Sequence, residues 1–167
     1  ITACGRGLFW QGALQLMDLS AQQRVGLDAV ALNTVVTAVG NSGLWLLAKE
    51  LLMKAPSYGV APDIITHNAA IGACAHASQW QEVLQLMEGL QTNRLRLDAF
   101  TYTTAISACI RGRIQALAFE LWDSMRLDGV APSPSTYSMI IKASVSQQHW
   151  QRGLDLLQEM SSRSIHS

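Results

Sequence analysis

The side chains in this sequence that could do chemistry are amides and carboxylates before they are nucleophiles. In "PDIITHN", Pro62 to Asn68, Asp63 offers an acceptor-only carboxylate, and Asn68 offers an amide that both donates and accepts. Such groups can hold a hydrogen-bonding ligand, or they can simply turn the chain and cap a helix, with Thr66 as a further cap candidate. The three cysteines, Cys4, Cys74 and Cys109, form no CxxC pair and read as reduced thiols at small core positions. His67, His76, His149 and His166 carry no HxE or HExxH spacing, so no metal is expected. No GxSxG, phosphate-cradling glycine loop or pair of carboxylates at catalytic spacing is present. Gly5, Gly7 and Gly12 do not fit a dinucleotide fingerprint, and Arg6 beside them reads as either a solvated charge or a phosphate contact. The expectation is a protein without catalytic residues or cofactors.

What positions these residues is a repeat. "IITHNAAIGACAHASQWQEVLQLM" from Ile64 aligns with "AFTYTTAISACIRGRIQALAFELW" from Ala99 at a shift of 35, and the same shift reaches back to Ala29 and forward to Pro134. The copies run 29–63, 64–98, 99–133 and 134–167, with 1–28 as the tail of an earlier one, about 4.8 repeats without insertion or deletion. Ile1, Val36, Ile71, Ile106 and Ile141 share a column, as do Ala3, Ala38, Ala73, Ala108 and Ala143. Trp10, Trp45, Trp80 and Trp150 form another, and Asp28, Asp63, Asp98 and Ser133 mark the turn.

Each copy carries two helical stripes. His67, Ala70, Ile71 and Cys74 recur at three-and-four spacing, and so do Trp80, Val83, Leu84, Met87 and Leu90. Ser78 and Gln81 have the form of a capping box opening the second helix, Gly59 and Gly129 sit where second helices stop, and Pro56 ends its helix early. A single hairpin cannot bury both of its stripes, so neighbours must stack. The small Ala and Cys columns let first helices approach, and the Trp column is expected to fill the layer of second helices. The fold predicted is all-α, a right-handed α-solenoid of helix-turn-helix repeats with no sheet.

Composition limits the partners. With 49% hydrophobic residues the chain can bury a core. Twelve basic against twelve acidic residues leave no overall field to draw it onto nucleic acid or an anionic membrane, so such a partner must be recognised locally. The longest apolar run, "LWLLAKELLM", is interrupted by Lys49 and Glu50 and falls short of the roughly 20 residues that span a bilayer. The opening "ITACGRG" reads as part of a longer protein.

The turn-and-start segments "LDAVALN", "PDIITHN", "LDAFTYT" and "PSPSTYS", set 35 residues apart, resemble the pentatricopeptide repeat over all 167 residues. The strict period separates the pattern from the tetratricopeptide repeat, whose period is 34. The resemblance implies an RNA-binding solenoid in which each repeat addresses one base through its fifth and final residues. The fifth residues are Asn33, Asn68, Thr103 and Ser138, and the final ones Asp63, Asp98 and Ser133. By the family's code, Asn33 with Asp63 and Asn68 with Asp98 favour uracil, and Thr103 with Ser133 leans to a purine. Val30, Ile65 and Phe100 correspond to positions that wedge bases apart, a pattern from which Ser135 departs. A phosphate-contacting column holds Arg6, Asn41, His76, Arg111 and Ser146, of which Arg6 and Arg111 are the firm cations.

Two functions from different classes follow from this resemblance. One is sequence-selective binding of single-stranded RNA in an organelle, plastid or mitochondrion. The alternative is a non-catalytic scaffold making protein-protein contacts within a large organellar assembly, which the neutral charge and patchy basic column favour.

Overall fold

The computed structural model describes residues 12, 15, 29–146 and 150–162. Among them the chain forms four helical hairpins and no strand: α1 (Ala29–Asn41) with α2 (Trp45–Lys54), α3 (Ile64–His76) with α4 (Trp80–Thr92), α5 (Ala99–Arg111) with α6 (Gln115–Leu127), and α7 (Pro134–Ser146) with α8 (Trp150–Ser162). First helices begin at 29, 64, 99 and 134, so the 35-residue period of the sequence is the period of the backbone.

Helix starts and stops explain the regularity. The Asp63 carboxylate accepts the Thr66 N–H at 2.8 Å, the Asp98 carboxylate accepts the Thr101 N–H at 2.8 Å, and the Ser133 hydroxyl accepts the Thr136 N–H at 3.2 Å. Each bond satisfies an orphan donor of the first turn and is worth about 1 kcal/mol. Thr66 is therefore the capped residue rather than the cap.

Among the described residues, stops come from a left-handed residue at two places in each of the first three hairpins. After first helices it is Gly43, Ser78 or Arg113, with φ of 80°, 60° and 60°. After the second-helix segments it is Gly59, Arg94 or Gly129, with φ of 76°, 57° and 71°. The following amide then reaches back five residues, as in Gln79 N–H to Cys74 O at 2.9 Å and Leu95 N–H to Leu90 O at 3.0 Å, which is the Schellman closure. Gly59 and Gly129 stand where the sequence placed them, but the Ser78 capping box does not form. Ser78 supplies the left-handed turn, and Gln79, at the N-cap of α4, makes no side-chain capping bond. Pro56 lacks an N–H to continue α2, and the chain tightens into a 3-10 turn over Ala55–Tyr58.

The helices cluster into two compact units, residues 1–96 and 97–167. In the first, α3 packs on α1, α2 and α4. Gly40 and Ala73 bring α1 and α3 so close that a Cβ on Gly40 would stand 2.9 Å from that of Ala73. Val39 and Cys74 in this unit, and Cys109 and Ser144 in the second, are fully buried, as the small-residue column requires. Cys4 lies outside the described residues. Burial pushes the Cys74 thiol up to about 11, with Glu82 adding to the effect, and burial alone pushes Cys109 up to about 11. Both are packing residues that stay protonated.

The tryptophans differ from expectation. Trp45 and Trp80 are only half-buried, while Trp122, outside their column, is 1% exposed. Its ring meets Tyr137 edge to face, centroids 4.9 Å apart at 75°. Trp122 shares its phase with Leu52 and Met87, both buried, so this inward-facing column and not the tryptophan column fills the second-helix layer. The other two, Trp10 and the side chain of Trp150, lie outside what the structure describes.

Candidate nucleic-acid interface

Helical spacing puts the candidate residues of each first helix in a row. Asn33, Thr37 and Asn41 follow one another at intervals of four along α1, as do Asn68, Gly72 and His76 along α3, Thr103, Ser107 and Arg111 along α5, and Ser138 and Lys142 along α7. On α1 this row lines a shallow, uncharged depression formed by Asn33, Thr34, Thr37, Ala38 and Asn41.

At the head of the row the structure joins Asn33 to Asp63, 30 residues away. The Asn33 Nδ2 donates to Asp63 Oδ2 at 3.3 Å. A residue that the sequence offered only as a cap completes the group. The Thr66 hydroxyl, fully buried, lies between Asp63 Oδ1, at 2.9 Å, and Asn33 Oδ1, so its hydrogen faces two acceptors. Burial pushes the Asp63 carboxyl up, but hydrogen bonds from the Thr66 amide and hydroxyl, the Asn33 amide and the Ile65 amide outweigh it and hold Asp63 below its ordinary value. The Asn33 amide is thus oriented by an ionised acceptor and keeps one N–H and one carbonyl lone pair for a ligand.

In the second unit the same three positions carry only hydroxyls. Thr103 Oγ1 and Ser133 Oγ each lie 2.8 Å from Thr136 Oγ1, and Ser133 Oγ is also 2.7 Å from Ser135 Oγ. Thr103 and Ser133 meet through the buried Thr136, whereas Asn33 and Asp63 touch directly. Of the pair Asn68 and Asp98, one member falls in each unit: Asn68 is half-buried on α3, and Asp98 caps α5. Ser138 is half-buried on α7.

Val30, Ile65 and Phe100 are 70%, 59% and 54% exposed, each one residue into its helix and two residues past the capping position. Leaving an apolar side chain in water at the same phase of three repeats costs burial energy that a flat apolar ligand could recover. Arg111 is exposed at the end of α5, and Arg6 lies outside the described residues. Lys142, exposed one turn beyond Ser138, is a cation that the repeat columns do not reveal because it sits one turn earlier in the repeat than the Arg111 column; its four-residue spacing from Ser138 is the available signal. The buried His67 turns away from this chemistry, its Nδ1 donating to the Asp63 carbonyl at 2.9 Å. Among the described residues no group of three His, Cys, Asp or Glu side chains converges to hold a metal, and no helix is long and apolar enough to cross a membrane.

Stacked 35-residue hairpins with this cap and turn chemistry define an α-solenoid repeat protein. A pentatricopeptide repeat domain model matches residues 85–147, and a PPR repeat model matches residues 65–95 and 135–165. The chain belongs to the pentatricopeptide repeat family. No curated protein matches the sequence. Among solved structures it is similar to the PPR domain of Arabidopsis thaliana protein-only RNase P 1 in complex with tRNA, with 14% identity, a TM-score of 0.83, and coverage of 95% of this chain and 83% of that one. It is similar also to the pentatricopeptide repeat protein PPR10 in complex with an 18-nt psaJ RNA element, a protein crystallised from maize, with 19% identity, a TM-score of 0.73 and coverage of 92% of this chain. A third similarity is to nuclear proteinaceous RNase P 2 from A. thaliana, at 15% identity, a TM-score of 0.78 and 91% coverage. The chain spans 22% of the PPR10 chain and 34% of the RNase P 2 chain.

Proposed function

We propose that this chain is a sequence-selective, single-stranded RNA-binding segment that addresses one base per repeat in organellar RNA metabolism and performs no catalysis itself. The observation that carries this reading is the Asn33 amide held by the Asp63 carboxylate on an open row of polar side chains. Uracil presents a donor, N3–H, flanked by carbonyl acceptors, and the free N–H and lone pair of an oriented amide complement that edge. Asn33 with Asp63 and Asn68 with Asp98 select uracil, Thr103 with Ser133 leans to a purine, and Ser138 opens a further head. Val30, Ile65 and Phe100 separate successive bases, and Arg111, with Arg6, contacts phosphate.

Two or three cationic contacts give a shallow salt dependence, a slope of about −1.4 to −2.1 for a single strand. Selectivity therefore rests on the heads more than on charge. The test is titration of a short labelled strand carrying UU against the same strand carrying CC, with Asn33→Ala as control. The uracil preference should fall about tenfold in the variant with helicity intact. Equal weak binding of both strands by the unaltered chain refutes the proposal. A stoichiometric protein complex that survives ribonuclease treatment, on purification from the source organism, would favour the scaffold instead.

A further inference from the structure

The buried threonine under two of the reading heads has no part in the scheme above, yet it touches both members of its head. Thr66 Oγ1 contacts Asn33 Oδ1 and Asp63 Oδ1, and Thr136 Oγ1 contacts Thr103 Oγ1 and Ser133 Oγ, in both cases with the threonine fully buried. We propose that this threonine is a positioning residue for the fifth residue of the repeat: Thr66, donating to the Asn33 carbonyl, holds the amide in the polarity that Asp63 imposes, and Thr136 leaves the Thr103 head free to reverse. The proposal rests on the RNA reading for its consequence but not for its geometry.

A carboxylate only accepts, so the end of the Asn33 amide facing Asp63 must be the NH2 group. That places the carbonyl toward Thr66, whose single hydroxyl hydrogen lies between Asn33 Oδ1 and Asp63 Oδ1. Were the amide turned over, its carbonyl would face Asp63 Oδ2 with two acceptors in opposition and no hydrogen between them. The carboxylate thus excludes that orientation, and the Thr66 hydroxyl supports the retained one by donating to Asn33 Oδ1, so the order of donor and acceptor left facing the ligand is fixed.

The second head has no acceptor-only member. Ser133, Thr136 and Thr103 are three hydroxyls in a chain, and each link at 2.7–2.8 Å works with either oxygen as donor. Ser135 at the outer end is a hydroxyl too, so nothing sets the direction. The Thr103 hydroxyl can present its hydrogen or its lone pair to a base at nearly equal cost, and this head discriminates poorly.

The experiment uses the full chain with Thr66→Val, Thr66→Ser and Ser133→Asp. In the protein alone, hydrogen exchange of the Asn33 side-chain amide, read by NMR, should accelerate severalfold in Thr66→Val and return toward the starting rate in Thr66→Ser. With the UU and CC strands, Thr66→Val should lose about threefold to fivefold of the uracil preference at unchanged helicity, and Thr66→Ser should recover it. Ser133→Asp supplies the missing acceptor-only group. At the nucleotide facing Thr103, across the four bases, it should create selectivity of about fivefold where the unaltered chain shows little. Amide exchange unchanged in Thr66→Val, uracil preference unchanged in that variant, or Ser133→Asp as unselective as its parent overturns the proposal. Equal binding of UU and CC by the unaltered chain refutes the RNA reading, and the exchange rates of the free protein still decide whether Thr66 locks the amide.

Discussion

Replacing Trp122 by alanine tests the assignment of the core most directly. Its side chain is 1% exposed and meets Tyr137 edge to face at 4.9 Å between centroids. Truncation of a buried tryptophan costs about 3 to 5 kcal/mol, part of which is the aromatic pair at about 0.5 to 1.5 kcal/mol. Trp80 is half-buried, so Trp80→Ala removes much less buried area and should cost about half as much. Urea unfolding followed by far-ultraviolet circular dichroism distinguishes them. With a slope of about 2 kcal/mol/M, Trp122→Ala should lower the midpoint by about 2 M and Trp80→Ala by about 1 M. Because the loss falls within residues 97–167, the transition should also broaden as that unit melts ahead of the other. A Trp80→Ala shift equal to or larger than that of Trp122→Ala would refute the reasoning and restore the tryptophan column as the core.

Three further outcomes are expected. Gly59→Ala meets open space, so its cost comes from the left-handed φ of 76° alone and should be about 1 kcal/mol in a thermal melt, with no change in helix content. The depressed Asp63 carboxyl contributes stability that is present above its unfolded value of 3.8 and is lost as pH falls through the lower folded value. Asp63→Asn should therefore flatten the acid limb of a stability-pH curve and leave its shape above about pH 5 unchanged. The raised thiols act oppositely: Cys74 and Cys109 support the fold below their ordinary value of 9.0, and that support drains as pH rises toward about 11. Cys74→Ser with Cys109→Ser should reduce the alkaline fall in stability, and in the native protein both thiols should resist alkylation until the chain unfolds.

Much of the fold was legible because the period lies in backbone chemistry. Caps at 63, 98 and 133 and stops at Gly59 and Gly129 depend on local residue types, which a sequence displays. The errors arise where tertiary context chose between local options. Ser78 with Gln81 satisfies the pattern of a capping box, but the first helix closes by a left-handed residue at that phase, and this conformation leaves Ser78 unavailable as a cap. Likewise, four tryptophans in one column suggested a core, although Trp45 and Trp80 stand at the opening of second helices and are only half-buried there. Trp122 escaped notice because its column mixes Leu52, Met87 and Trp122, which periodic matching of residue types does not join. At the site, Asn33 and Asp63 came from the family resemblance, whereas the part of Thr66 needed coordinates, since a threonine two residues into a helix ordinarily looks outward.

The double duty of Asp63 has a consequence for anyone recombining such chains. It caps α3, the first helix of its successor, while orienting an amide in α1, and Thr66 belongs to that successor too. A cassette cut at the left-handed residues, Gly59 to Arg94, would graft cleanly as a fold yet carry the closing half of one specificity and the opening half of another. Modules of structure and modules of meaning are out of register here by several residues, so cassette swaps rewrite two letters at once.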